Sequence, residues 1–172
     1  MRARAETRAE MTETTDGTIV RLTGEGETTS LFGDTYTIKA AGDETGAALA
    51  VIEAELAPHS SGTPLHVNTR EAENYYVLEG TLTFRIDERT VEAPAGSFVH
   101  IPQGVVHTHW NGTSAPVRLL GIPAPAGFEA FFSELAGLMA TMPPGPPDMS
   151  QIGTLYERFG LKVVGPPPHT GS

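Results

Sequence analysis

The feature that most constrains the fold of this chain is a succession of short β-branched and aromatic segments, each bounded by Gly, Pro, Asn or Asp. "TIVRL", "TYTIKA" and "GAALAVIEAEL" fall within residues 17–57, and "NYYVLEG", "LTFRI", "TVEA", "SFVHIP", "VVHTHW" and "VRLLGIP" follow. Segments of this length between turn formers suit strands, and strands at close, even spacing build a sandwich or barrel rather than a parallel α/β sheet. The 19 glycines and 14 prolines in 172 residues favour the same outcome, many short elements joined by tight turns. An all-β domain is predicted over residues 17–125.

The pattern changes after Pro125. In "AGFEAFFSELAGLMATM" the residues Phe128, Phe131, Phe132, Leu135, Leu138 and Met139 recur at helical spacing. That predicts an amphipathic helix packed on the barrel or at a dimer contact. "PPGPPD" reads as a stiff linker, and "MSQIGTLYERFG" as a short helix stopped by Gly160. "VVGPPPHTGS" reads as a tail, with no site role for His169. Residues 126–172 thus form a helical extension and tail, and residues 1–16 a flexible lead-in.

Several function classes are excluded. A net charge of -10 opposes an electrostatic grip on nucleic acid or an anionic membrane. No cysteine is present, so disulfides, thiolate metal sites and cysteine nucleophiles are absent. The apolar runs are short and broken, so no membrane span is predicted. The N-terminal arginines precede no apolar stretch, so a cytoplasmic location is expected.

Two stretches carry the chemistry. In "HVNTREAE", His66 and Asn68 share one face of a strand, because side chains at i and i+2 point the same way. Glu73 begins the next strand, with Tyr75 and Val77 on its face. In "GSFVHIPQGVVHTHWN", a hairpin centred near Gln103 would set His100 opposite His107, with His109 on the same face. One inner surface would then hold His66, Asn68, Glu73, His100, His107 and His109. Tyr75, Val77, Phe84 and Phe98 would wall an apolar pocket beside it. Glu71 reads as solvated, His59 as a loop residue and Asn111 as a turn former. Trp110, alternating with His109, would face a second layer or an interface.

Residues 62–111 resemble the cupin family, and specifically its quercetin 2,3-dioxygenase-like branch. The first motif of that family is a glycine, His-x-His, four residues, Glu, six residues and Gly. His66, Glu73 and Gly80 meet it; Asn68 replaces the second histidine, and the leading glycine, Gly62, comes two residues late. Gly96, Pro102, Gly104, His107 and Asn111 match the second motif throughout. "YYVLEG" and "PAGFEAFFSELAG" add a likeness of phrasing to the quercetinase branch. The resemblance implies a small jelly-roll (double-stranded β-helix) barrel with a single motif pair, followed here by C-terminal helices.

It also implies one divalent transition metal on His66, Glu73 and His107, with iron, nickel, manganese, cobalt and zinc not distinguished. Two histidines and one carboxylate is the ligand set of many non-haem iron oxygenases. Asn68 could ligate through its oxygen, hold a water or leave a position for substrate, and His100 or His109 could supply the missing nitrogen. The expected function is a dioxygenase acting on a small aromatic or polyketide-like substrate, with Glu73 as general base. A cyclase, isomerase or lyase without oxygen chemistry, or a non-catalytic ligand-binding barrel, are the competing readings. A homodimer is expected.

Overall fold

The computed structural model describes residues 17–143 and 145–167. The described strands are β1 (Glu27–Leu31), β2 (Asp34–Ala40), β3 (Val51–Leu56), β4 (Leu65–Asn68), β5 (Ala72–Glu79), β6 (Thr81–Ile86), β7 (Arg89–Pro94), β8 (Phe98–Ile101), β9 (His107–Trp110), β10 (Val117–Ala124) and β11 (Leu161–Gly165). Two helices, α1 (Ala130–Thr141) and α2 (Met149–Arg158), lie between β10 and β11. The strands form two antiparallel sheets, ordered β1-β2-β3-β10-β5-β8 and β11-β4-β9-β6-β7. The all-β expectation with C-terminal helices is met.

Alternation along the strands decides what faces inward. In β5, Glu73, Tyr75 and Val77 are buried, while Tyr76 between them is exposed. In β3, Ile52, Ala54 and Leu56 are buried in the same alternating way. The core between the sheets contains Leu56, Val77, Leu82, Phe84, Ile101 and Val117. Burying each such side chain stabilises the barrel by roughly 1.5–3 kcal/mol. Asn111 is fully buried at the end of β9, and its amide nitrogen donates to the carbonyls of Ala57 (2.9 Å) and Ala115 (2.8 Å). Its side-chain oxygen accepts from the Thr113 N–H at 2.9 Å, so the expected turn former also clamps the end of β3.

A second apolar cluster joins Leu31 of β1 to Phe131 and Leu135 of α1 and Ile152 and Leu155 of α2. The aromatic stripe of α1 therefore packs on the barrel. Asp148 caps α2 by accepting from the Ser150 N–H at 2.9 Å. Gly160, at φ +79°, turns the chain out of the helix as predicted.

Three expectations are corrected. "TIVRL" forms no strand; Val20 and Leu22 are exposed, and a turn closes from the Glu25 N–H to the Leu22 carbonyl. The segment "LKVVG" is no tail, because it pairs as β11 with β4. β8 and β9 do not form a hairpin ladder: β8 pairs with β5, and β9 with β4 and β6, so the Pro-Gly turn carries the chain from one sheet to the other. Residues 1–16 and His169 lie outside the described residues. Among the described residues no helix is long and apolar enough to cross a membrane.

Candidate metal centre

His66 on β4 and His107 on β9 are direct partners in one sheet, and their ring centroids lie 4.4 Å apart. Glu73 comes from β5 in the other sheet, so its carboxylate approaches the pair across the barrel interior. The Nε2 atom of His107 is 2.6 Å from Glu73 Oε2, and that of His66 is 3.9 Å from the same oxygen. The three ligand atoms lie within 4.8 Å of one another, and all three residues are buried.

The outer nitrogens fix the rings. Nδ1 of His66 is 2.8 Å from the Pro64 carbonyl, and Nδ1 of His107 is 3.0 Å from that of Val105. A carbonyl only accepts, so each Nδ1 carries the proton and each Nε2 faces the centre. This is the arrangement that orients imidazoles toward a metal. Without an ion, the 2.6 Å contact between His107 Nε2 and Glu73 must hold a proton as well. Burial opposes charge on His107, but the hydrogen bond and charge of Glu73 outweigh it and raise the His107 pKa. Burial likewise pushes Glu73 up, and the bond and charge of His107 outweigh it, so Glu73 titrates below its usual range. Burial holds the His66 pKa down despite the Glu73 charge.

Asn68 shares the buried face of β4 with His66, and neither of its amide atoms has a hydrogen-bond partner. An amide group is costly to bury without a partner. Its main-chain carbonyl accepts from the Gly104 N–H at 2.9 Å, which ties the two sequence motifs together. The donor set therefore suits a divalent ion, with His66, Glu73 and His107 able to hold it and the Asn68 oxygen spare.

A chamber of about 80 Å³ adjoins His66 and Glu73, walled in part by Ile52, Tyr75, His109, Leu119 and Phe128. The His109 ring lies 5.2 Å from that of Tyr75 and 5.9 Å from that of Phe84. His109 Nδ1 has no partner, and burial pushes its pKa down to about 4, with the Glu73 charge opposing. His109 is therefore neutral near pH 7. It borders the chamber, outside the three-residue cluster.

Other expected site residues fall elsewhere. Val77 and Phe84 are fully buried in the core, and the Phe84 ring packs near those of Tyr75 and His109 at 5.2 and 5.9 Å. His100 and Phe98 lie on the outer surface, Phe98 being 62% exposed. The register explains this: His100 pairs with Asn74 and Phe98 with Tyr76, the outward residues of β5. His100 Nδ1 is 2.7 Å from Asn74 Oδ1. It supplies no nitrogen to the centre.

Glu71, read as solvated, is only 5% exposed, with Oε1 unpartnered. Burial, reinforced by the Glu73 charge, pushes its pKa up to about 7. Trp110 is buried too and presents no open interface. The late glycine has its own cause: a Cβ on Gly62, at φ +68°, would sit 1.7 Å from the His109 carbonyl oxygen. Among the chamber walls that sequence reasoning missed are Tyr36, Phe128, Phe131, Phe132 and Tyr156. The helical aromatic stripe was the available signal.

Comparison with known proteins agrees with this geometry. Residues 52–123 match the model of the cupin domain. The chain is 29% identical over 164 residues to a quercetin 2,3-dioxygenase of Bacillus subtilis, covering 92% of this chain and 48% of that protein. It thus spans about half the length of that curated relative. Similar solved structures include KdgF from Halomonas sp., with a TM-score of 0.56 and 15% identity over 63% of this chain and 94% of that one. The polyketide cyclase RemF from Streptomyces resistomycificus gives a TM-score of 0.55 and 21% identity over 62% and 80%. At these identities the two structures speak for the fold.

Proposed function

For a chain whose residues 52–123 are a cupin domain, we propose a metal-dependent dioxygenase of the quercetinase kind, acting on a small hydroxylated aromatic. The observation that carries this reading is the pair of Nε2 atoms aimed at one buried carboxylate oxygen beside an apolar chamber. His66, Glu73 and His107 would hold the ion, with Asn68 as a weaker oxygen donor. The ion, when bound, supplies Lewis acidity and the chemistry of dioxygen.

The protein does the rest. His107 gives up its Nε2 proton when it becomes a ligand, while the Val105 carbonyl keeps the ring in place. Glu73 then has a second carboxylate oxygen with which to accept the substrate hydroxyl proton. Tyr75, whose hydroxyl lies beside Glu73 and whose pKa is raised by burial and then by the Glu73 charge, stays protonated and able to donate a hydrogen bond. Ile52, Leu119 and Phe128 present apolar walls that keep water from the reacting face. Such walls select a flat aromatic over a sugar or an amino acid.

One observation favours a second reading, proton transfer without oxygen. Neutral His109 borders the chamber and would be the acceptor for the proton of an enolisable substrate. The decisive experiment follows substrate loss and oxygen uptake together, with and without air, using a flavonol and a polyketide phenol. Equal consumption of oxygen and flavonol supports the dioxygenase, and loss of substrate without oxygen replaces it with the cyclase or isomerase reading. No turnover in any metal-loaded form reduces the barrel to a binder. In the active form Glu73→Gln should depress kcat at least tenfold more than it weakens substrate binding.

A further inference from the structure

Among the described residues, the buried side-chain atoms without a hydrogen-bond partner are Nδ2 and Oδ1 of Asn68, Oε1 of Glu71 and Nδ1 of His109. Each of these residues stands two positions from a candidate ligand: Asn68 from His66, Glu71 from Glu73 and His109 from His107. Burial alternates through Glu71, Glu73, Tyr75 and Val77, so Glu71 continues the inward face of β5.

The register sorts the three. His66 pairs with His107 in antiparallel strands, so Asn68 and His109, each two residues further on, leave the ligands in opposite directions. The His109 ring meets that of Tyr75, which places Tyr75 on the His109 side. Glu71, on the other side of Glu73 along the same face, therefore falls on the Asn68 side. The chamber agrees, being lined by Tyr75 and His109 and by neither Asn68 nor Glu71. Only Thr69 and Arg70 separate Asn68 from Glu71, and three peptide links span at most about 10–11 Å. The turn is held by its main chain, through the Gly104 N–H to the Asn68 carbonyl (2.9 Å) and the Thr69 N–H to the Gly160 carbonyl (3.0 Å). Two polar side chains, 2% and 5% exposed, thus converge on the side of the candidate ion site away from Tyr75.

An amide has one ligating end. A cation takes Oδ1 of Asn68, and the NH2 group, which only donates, is then left in a buried interior where it needs an acceptor. Glu71 stands outside the three-ligand cluster, but its Oε1 is an acceptor without a donor on that side. We propose that Glu71 is the positioning residue for Asn68: it accepts from Nδ2, fixes which end of the amide faces the ion, and strengthens Oδ1 as a further ligand. Ion and carboxylate together give three of the four unpartnered atoms a partner. A carboxylate behind a ligand raises that ligand's basicity, so Glu71 offsets part of what an amide lacks beside an imidazole. The inference rests on the ion site of the proposed function and not on oxygen chemistry.

The test uses the full chain, isotope-labelled for NMR, with zinc as the probe, and needs no turnover. Loss of signals in Asn68→Ala identifies the Asn68 side-chain amide. Zinc should move one Nδ2 proton of the wild type downfield and slow its exchange with solvent. Glu71→Ala and Glu71→Leu should each abolish that shift, and Glu71→Gln, which keeps a carbonyl acceptor, should retain it. By calorimetry, Glu71→Ala should weaken zinc binding about tenfold when Asn68 is present and less than twofold in the Asn68→Ala background. Equal weakening in the two backgrounds overturns the proposal, since it reports only the attraction of a nearby charge. An Asn68 amide signal that ignores both Glu71→Ala and Glu71→Leu overturns it as well. His107→Ala keeps the two readings apart. Zinc binding lost in that variant, with no coupling between Asn68 and Glu71, removes the role of Glu71 and leaves the ion site standing; zinc binding undiminished in that variant removes both.

Discussion

At the scale of single residues, the proton between His107 and Glu73 governs how the metal-free protein responds to pH. His107 has a raised pKa, so its contribution to stability is full below 6.5 and is lost as pH rises through the raised value. Glu73 has a lowered pKa, so its contribution is present above 4.5 and is lost as pH falls through the lowered value. Chelator-treated protein should therefore gain most from this pair between those limits. Thermal melts across pH, compared with His107→Ala, isolate the effect from Glu71, which also titrates near neutrality. A wild-type advantage that stays constant from pH 4 to pH 9 would refute it. Asn68 gives a second test. Its unpartnered amide on the His66 face should be replaced by a better donor in Asn68→His, tightening zinc or nickel binding about tenfold or more, since imidazole outcompetes a neutral amide oxygen. Calorimetry showing unchanged or weaker affinity would mean that Asn68 does not face the ion.

At the scale of elements, α1 and α2 close the barrel through rings rather than through sheet pairing. Phe131 is the hub, with ring contacts to Phe128, Phe132, Tyr156 and Phe159. Phe131→Ala should cost about 3–5 kcal/mol in denaturant unfolding, and a loss below 1 kcal/mol would show the helices to be dispensable to the fold. Gly62→Ala should fare worse, because the added Cβ meets main chain rather than a flexible side chain. Failure to accumulate as folded protein is the expected result, and a normal melting curve would contradict the close approach of this loop to β9. Much of this architecture was legible in the sequence. Alternation correctly placed Glu73, Tyr75 and Val77 on one face, since it depends only on the two-residue period of a strand. The pairing of β8 was not legible. A Pro-Gly turn looks the same whether its arms pair with each other or with strands of different sheets, so His100 and Phe98 were set inward when they face out. Glu71 was missed for a related reason: it lies between strands, where no period reports which way a side chain points. The aromatic stripe was correctly read as a packing surface, but nothing in its spacing tells that part of its packing encloses a chamber.

At the scale of the whole molecule, the candidate ligands come from both sheets. An ion bound by β4, β9 and β5 would fasten one sheet to the other, and only in the folded chain. With free ion a hundredfold above its Kd, the gain in stability should be about 2.7 kcal/mol. Denaturant unfolding with and without nickel should show this gain in the wild type and none in His107→Ala. An equal gain in both would place the ion elsewhere. The charge of -10 has a place in the same picture, since it offers nothing to polyanions and leaves selection to the apolar interior.

The ring of each histidine at the centre is steered by a carbonyl two residues earlier, in the segment that leads into its strand, Pro64 for His66 and Val105 for His107. Their aim is thus written into two tripeptides and asks nothing of the C-terminal helices. Chamber walls can change, residue by residue, while the imidazoles keep their bearing. A lineage built on such a barrel is free to reshape its chamber while the candidate ion site stays assembled.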